Sequence, residues 1–121
     1  MYKDFINCLR KCGVNVPDYT VYYTGNRIFR TTMQRVEVLP DSGDLTNAFY
    51  ECQSLVEAVL PDGLQKIGNG AFSSCSKLSR VNIPSSVKEI GSTAFDSCAF
   101  KEIIIPENVE IIGNWSFAWC K

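Results

Sequence analysis

Six cysteines and no histidine bound the chemistry open to this chain. Cys52, Cys75, Cys98 and Cys120 follow one another at intervals of 23, 23 and 22 residues. Such a series could pair as disulfides, hold a metal or supply a nucleophile. A nucleophilic thiol needs a base, and without histidine the Cys-His and Ser-His-Asp arrangements are excluded. Zinc has little to bind without histidine or a Cys-x-x-Cys pair. No phosphate loop or dinucleotide fingerprint is present. The expectation is therefore a non-enzyme with no metal and no cofactor.

The regular spacing gives the thiols a structural meaning. Around Cys75, Cys98 and Cys120 recur Leu60-Pro61, Ile83-Pro84 and Ile105-Pro106, then Ile67-Gly68, Ile90-Gly91 and Ile112-Gly113. Ala71-Phe72, Ala94-Phe95 and Ser116-Phe117 complete each copy, and a weaker copy holds Leu39-Pro40, Ala48-Phe49 and Cys52. A fixed period in the low twenties with invariant apolar positions predicts a solenoid of stacked coils. Each cysteine is then a small buried hydrophobe in a ladder, an arrangement favoured over neighbouring-rung disulfides.

Each coil is expected to begin with a strand. Leu78, Val81 and Ile83 point inward and Arg80 and Asn82 outward, as strand alternation requires, with Leu55, Ala58, Leu60 and Phe100, Ile103, Ile105 as the matching inward sets. The proline ends the strand, Val87 and Ile90 or Leu64 and Ile67 return along the opposite wall, and Gly68, Gly91 and Gly113 turn a corner. Ala-Phe-x-x-Cys is read as a short helical turn whose Phe fills the coil. Glu57 and Glu102 then lie two strands apart, about 10 Å, too far for a retaining glycosidase pair.

Residues 1–35 lack the repeat and are read as an N-terminal cap, with about four repeats, the first degenerate, over 36–121. Tyr2, Phe5, Ile6 and Leu9 give a short amphipathic helix before Gly13, and Cys8 and Cys12 on it are read as free thiols. Tyr19–Tyr23 and Arg27–Thr32 flank a Thr-Gly-Asn turn and read as a hairpin. Acidic and basic residues nearly balance, 13 against 12, so neither nucleic acid nor a membrane surface is an expected partner. The first 13 residues are no signal peptide, which predicts a cytoplasmic protein, or a cell-surface one if a leader was removed. Asn114-Trp115-Ser116 matches a glycosylation acceptor but is read as a turn.

The string Leu78-x-x-Val81-x-Ile83-Pro84-x-x-Val87-x-x-Ile90-Gly91-x-x-Ala94-Phe95-x-x-Cys98 resembles the BspA-type leucine-rich repeat. The resemblance covers residues 36–121. It implies a leucine-rich-repeat solenoid, a right-handed superhelix with a short parallel sheet on its concave face, and a non-enzymatic protein-binding surface. Relatives are bacterial or protist surface proteins. On the concave face, Glu57, Arg80 and Glu102 form one outward row with alternating signs, and Val59, Asn82 and Ile104 form the row beside it. In the last coil Trp115 replaces Gly70 or Thr93, and Trp119 replaces Ser74 or Ser97. These two either fold over the end as a cap or form an aromatic interface, with a homodimer through the C-terminal end as one form. The expected function is protein–protein interaction through the concave sheet or the Trp-bearing end. A phage or prophage cytosolic inhibitor of a host enzyme or defence system, and a fragment of a surface adhesin, are the alternatives.

Overall fold

The computed structural model describes residues 20–23, 34–40 and 43–120. Within them each coil has three walls. The first is a parallel sheet of β1 (Thr20–Tyr23), β2 (Arg35–Val38), β3 (Glu57–Val59) and β5 (Arg80–Asn82), in that spatial order. The second is a parallel sheet of β4 (Lys66–Ile67), β6 (Glu89–Ile90) and β7 (Ile111–Ile112). Register follows the sequence period, pairing Ala58 with Val81 and Ile67 with Ile90. Parallel neighbours need a crossover between them, and here the rest of each coil supplies it.

The third wall departs from the expected helical turn. Thr93 and Ser97 have φ of 56° and 59°, and Gly70 and Ser74 have 67° and 61°, so left-handed residues alternate with others and no helix can form. Instead, Gly70, Phe72 and Ser74 donate their N–H groups to the carbonyls of Ser92, Ala94 and Asp96 in the next coil. Asn47, Phe49 and Glu51 do the same to Asn69, Ala71 and Ser73, and Thr93, Phe95 and Ser97 to Asn114, Ser116 and Ala118. The peptides therefore stack in columns, every N–H pointing towards the C-terminal end.

Behind this wall the Phe rings form one pile. Phe49, Phe72, Phe95 and Phe117 stack at centroid distances of 5.0, 5.3 and 5.3 Å, with interplanar angles of 9° or less. That spacing is set by the coil repeat, since paired strands lie about 4.8 Å apart. Leu55, Leu78, Ile67 and Ile90 are fully buried against the pile. The corner glycines follow from the same close stacking. A Cβ on Gly68 would meet Thr46 N at 2.7 Å and Asp44 O at 2.8 Å, and one on Gly113 would meet Ser92 N at 2.5 Å.

The cysteine ladder is part of this interior. Cys52, Cys75 and Cys98 are buried and in no disulfide, and Cys120 is half-buried. Each of the last three donates its S–H to the Phe carbonyl of the coil before, Cys75 to Phe49 (3.0 Å), Cys98 to Phe72 (3.2 Å) and Cys120 to Phe95 (3.1 Å). Cysteine thus supplies a small apolar volume and a weak donor at once. Interaction with Cys52 first, and burial second, push the Cys75 thiol far above the ordinary range, and burial does the same to Cys98. Because folding raises these pKa values, their stabilisation is complete below the unfolded thiol pKa, about 8.5, and is lost as pH rises beyond it. The urea midpoint should accordingly fall above about pH 9. Cys98→Val should remove part of that slope, and in the native protein Cys75 and Cys98 should resist Ellman's reagent. Rapid native reaction of Cys75 and Cys98 would contradict the ladder.

The N-terminal expectation fares differently. The helix expected over 2–12, with Cys8 and Cys12, and the second hairpin strand at 27–32 lie outside the described residues. β1 is present, but its described pairing is parallel, Thr20 with Arg35 and Tyr23 with Val38, so it extends the first sheet by one strand.

Candidate protein-binding surfaces

Outward alternation along the first sheet places Glu57 and Arg80 in register, as expected, and their side chains approach to 3.9 Å. Arg35 extends the row. It pairs in register with Glu57, reaches its carboxylate at 3.3 Å and bonds Glu37 at 2.5 Å. Arg35 and Glu37 were missed because their repeat is degenerate, although Arg35 stands 22 residues before Glu57. Ion pairs this exposed contribute about 1 kcal/mol at most. Arg80 is left 68% exposed by its long contact, free to take a second carboxylate.

The row breaks at Glu102. Residues 102–104 form no strand on β5, and among the described residues Glu102 makes no ion pair. Two sequence changes account for this. Cys98 is two residues from Phe100, whereas Cys75 is three from Leu78, so the turn into the last strand is one residue short. Asn82 also binds both the N–H and the carbonyl of Leu60 through its side chain, at 2.9 and 3.2 Å. Ile104 stands in the matching place and can make neither bond to Ile83.

The result is a groove of about 620 Å³ lined by β3, β5 and Glu102–Ile104. Val81, Ile83, Phe100 and Ile103 line it, together with the more exposed Ile104 and Arg80. Val81 and Ile83 are only partly buried, whereas Ala58 and Leu60, their equivalents one coil earlier, are fully so. Val59 and Asn82 also line the groove.

The second surface is the last coil. Trp115 and Trp119 are 69% and 75% exposed, so they do not lie over the end as a cap. Both occupy left-handed positions, at φ 63° and 61°, as Thr93 and Ser97 do one coil earlier. Ile104 is 86% exposed, and Ile111 and Ile112 are about half exposed. Ile112 is a core position left open by the end of the stack. Ile104, Ile111, Trp115 and Trp119 instead occupy outward positions that carry Asn82, Glu89, Thr93 and Ser97 in the coil before. The Ser116 hydroxyl is buried within hydrogen-bond distance of the Gly113 and Gly91 carbonyls, with one proton to share between them, so the Asn114 motif is held in the wall as a turn.

Among the described residues no group of three or more Cys, Asp or Glu is placed to hold a metal, and no helix is long and apolar enough to cross a membrane. A family model described as BspA type leucine rich repeat region matches residues 45–121 in six copies. A solved leucine-rich repeat protein from Bacteroides ovatus ATCC 8483 is similar at 33% identity and a TM-score of 0.67, over 81% of this chain and 26% of its own. A leucine rich cell surface protein from Faecalibacterium prausnitzii A2-165 is similar at 26% identity and a TM-score of 0.62, over 74% of this chain and 31% of its own. The chain thus spans about a quarter to a third of these two proteins. No curated protein matches it significantly.

Proposed function

Since the chain belongs to the BspA-type leucine-rich-repeat family, we propose that it is a non-enzymatic module that binds a partner protein in the groove beside β5. The observation that carries this reading is the gap itself. A one-residue deletion and the Asn82-to-Ile104 change interrupt the first sheet after β5, next to an arginine with spare bonding capacity. Such a groove suits an extended segment with one apolar anchor and a neighbouring acidic residue.

The test is selection from a displayed random-peptide library on immobilised protein. Enriched peptides should share an aliphatic or aromatic residue beside Asp or Glu, and Arg80→Glu and Ile104→Asn should each weaken them about tenfold or more. Ile104→Asn restores the residue of the preceding coil and leaves the fold intact. Peptides that bind both variants as well as the wild type would place recognition elsewhere.

Likeness to longer leucine-rich repeat proteins, one described as a cell surface protein, supports a module of a bacterial surface protein over a cytosolic phage inhibitor. In the surface setting the groove would face a host or matrix protein.

A further inference from the structure

β5 has an open edge. In the closed part of the sheet the Val56 carbonyl accepts from the Ser79 and Arg80 N–H groups, both at 3.1 Å, so Arg80 turns its backbone groups towards β3. Alternate residues of a strand turn theirs the other way, and Val81 and Ile83 therefore face the coil that follows. No backbone bond reaches them from residues 102–105, which form no strand. The Ser79 carbonyl, equivalent to that of Val56, likewise receives nothing from Lys101 or Glu102. Among the described residues, the Ser79 carbonyl and the N–H and carbonyl groups of Val81 and Ile83 are thus unpaired. The opening is internal to the stack, because Ala99 bonds the Leu78 carbonyl at 2.8 Å before it and Ile111 pairs with Glu89 after it.

The preceding coil shows what closes such an edge. Asn82 on β5 takes both the N–H and the carbonyl of Leu60 with one amide side chain, at 2.9 and 3.2 Å. Residues 102–105 of the chain itself read Glu-Ile-Ile-Ile. They offer an acid and inward aliphatic residues but no amide at the third place, and the turn before them is one residue short.

We infer that the partner in the groove enters as a guest strand, added parallel to β5 along its open edge, with the pattern acid, aliphatic, asparagine, aliphatic. The inference rests on the groove reading above and specifies its ligand. In this register the guest's first residue donates its N–H to the Ser79 carbonyl and accepts from the Val81 N–H. Its third residue donates to the Val81 carbonyl, and its side-chain amide takes the N–H and carbonyl of Ile83 as Asn82 takes those of Leu60. The acid lies beside Arg80, whose long contact with Glu57 leaves it 68% exposed. The two aliphatic residues face inward beside Val81 and Ile83, which the free chain buries only in part. Strand addition joins backbone bonds, which give affinity, to alternate side chains, which give specificity. A groove of about 620 Å³ is of the size that ligand sites have, about 300–1,000 Å³.

The probe is a synthetic peptide, acetyl-Ser-Glu-Val-Asn-Ile-Pro-Ser-amide, which copies residues 79–85 with glutamate in place of Arg80. Residue-resolved amide exchange on the whole chain should find Val81 and Ile83 at least about tenfold faster than Ala58 and Leu60 without peptide, and slowed about tenfold or more at saturating peptide. Replacing the peptide's Asn by Ile should weaken binding about tenfold. Methylating its Glu or Asn nitrogen, each of which donates to β5, should abolish binding, whereas methylating its Val nitrogen, which points away, should leave binding in place.

Slow exchange of Val81 and Ile83 in the free chain would mean that the edge is closed, and would overturn the inference. A peptide that leaves the β5 amides untouched at millimolar concentration would do the same. Binding that depends on Arg80 and Ile104 but ignores methylation of the Glu and Asn nitrogens would remove the guest strand and leave the groove reading standing. Failure of the groove itself shows separately, as library peptides indifferent to Arg80→Glu and Ile104→Asn, and takes the guest strand with it.

Discussion

Phe95→Ala should lower unfolding free energy by about 3–5 kcal/mol, the usual loss for a buried phenylalanine. The ring is fully buried, stacks on Phe72 and Phe117, both at 5.3 Å, and meets Phe100 edge-on at 5.6 Å. Removing it interrupts the pile in the middle, so neighbouring coils lose their contact as well as the ring's own burial. Single domains are stable by about 5–15 kcal/mol, so the change removes a large fraction of the total. Phe117→Ala, at the half-buried end of the same pile, should cost clearly less. Urea unfolding at constant slope measures both. A loss below about 1 kcal/mol for Phe95→Ala would mean that the rings do not share one interior.

The second large effect is expected at Gly91. A Cβ there would stand 2.6 Å from Asn69 N and 2.7 Å from the Gly68 carbonyl carbon, both backbone atoms of the preceding coil. Neither can move without parting the coils. Separation would stretch the Gly91 N–H bond to the Ile67 carbonyl (2.7 Å) and the Ser92 N–H bond to Asn69 Oδ1 (2.8 Å). Overpacking of this kind costs about 1–3 kcal/mol, and the lost hydrogen bonds add to it. Gly63→Ala is the control, because a Cβ at Gly63 meets nothing within 4 Å and the only penalty is its φ of 89°. Thermal unfolding should show the larger drop for Gly91→Ala. The reverse order would deny the close approach of the coils.

The stack was legible from the letters because its core positions must match from coil to coil, and so Phe72, Phe95 and Phe117 repeat in type as well as place. The third wall was harder to read. Ala-Phe-x-x-Cys carries helical spacing, and Thr93, Ser97, Trp115 and Trp119 give no hint of a left-handed backbone. A signal was present at one position, where Thr93 is preceded in earlier coils by Gly70 and Asn47, two residue types that enter that region readily. The groove was harder still. Glu102 was expected to close the charge row by analogy with Glu57 and Arg80, and the missing residue between Cys98 and Phe100 was visible. Its effect on strand pairing depends on whether the shortened turn can still reach β5, which spacing alone does not decide. Exposure of Trp115 and Trp119 was open for the same reason, since a side chain at a stack end can fold inward or outward from one backbone.

Amide hydrogen exchange resolved by residue tests the central claim most directly. Stacked coils with directional third-wall columns predict slow exchange at Phe49, Phe72 and Phe95, and equally at Gly70, Ser74, Thr93 and Ser97, despite their turn-like backbone. Exchange of these amides at free-peptide rates would contradict the account.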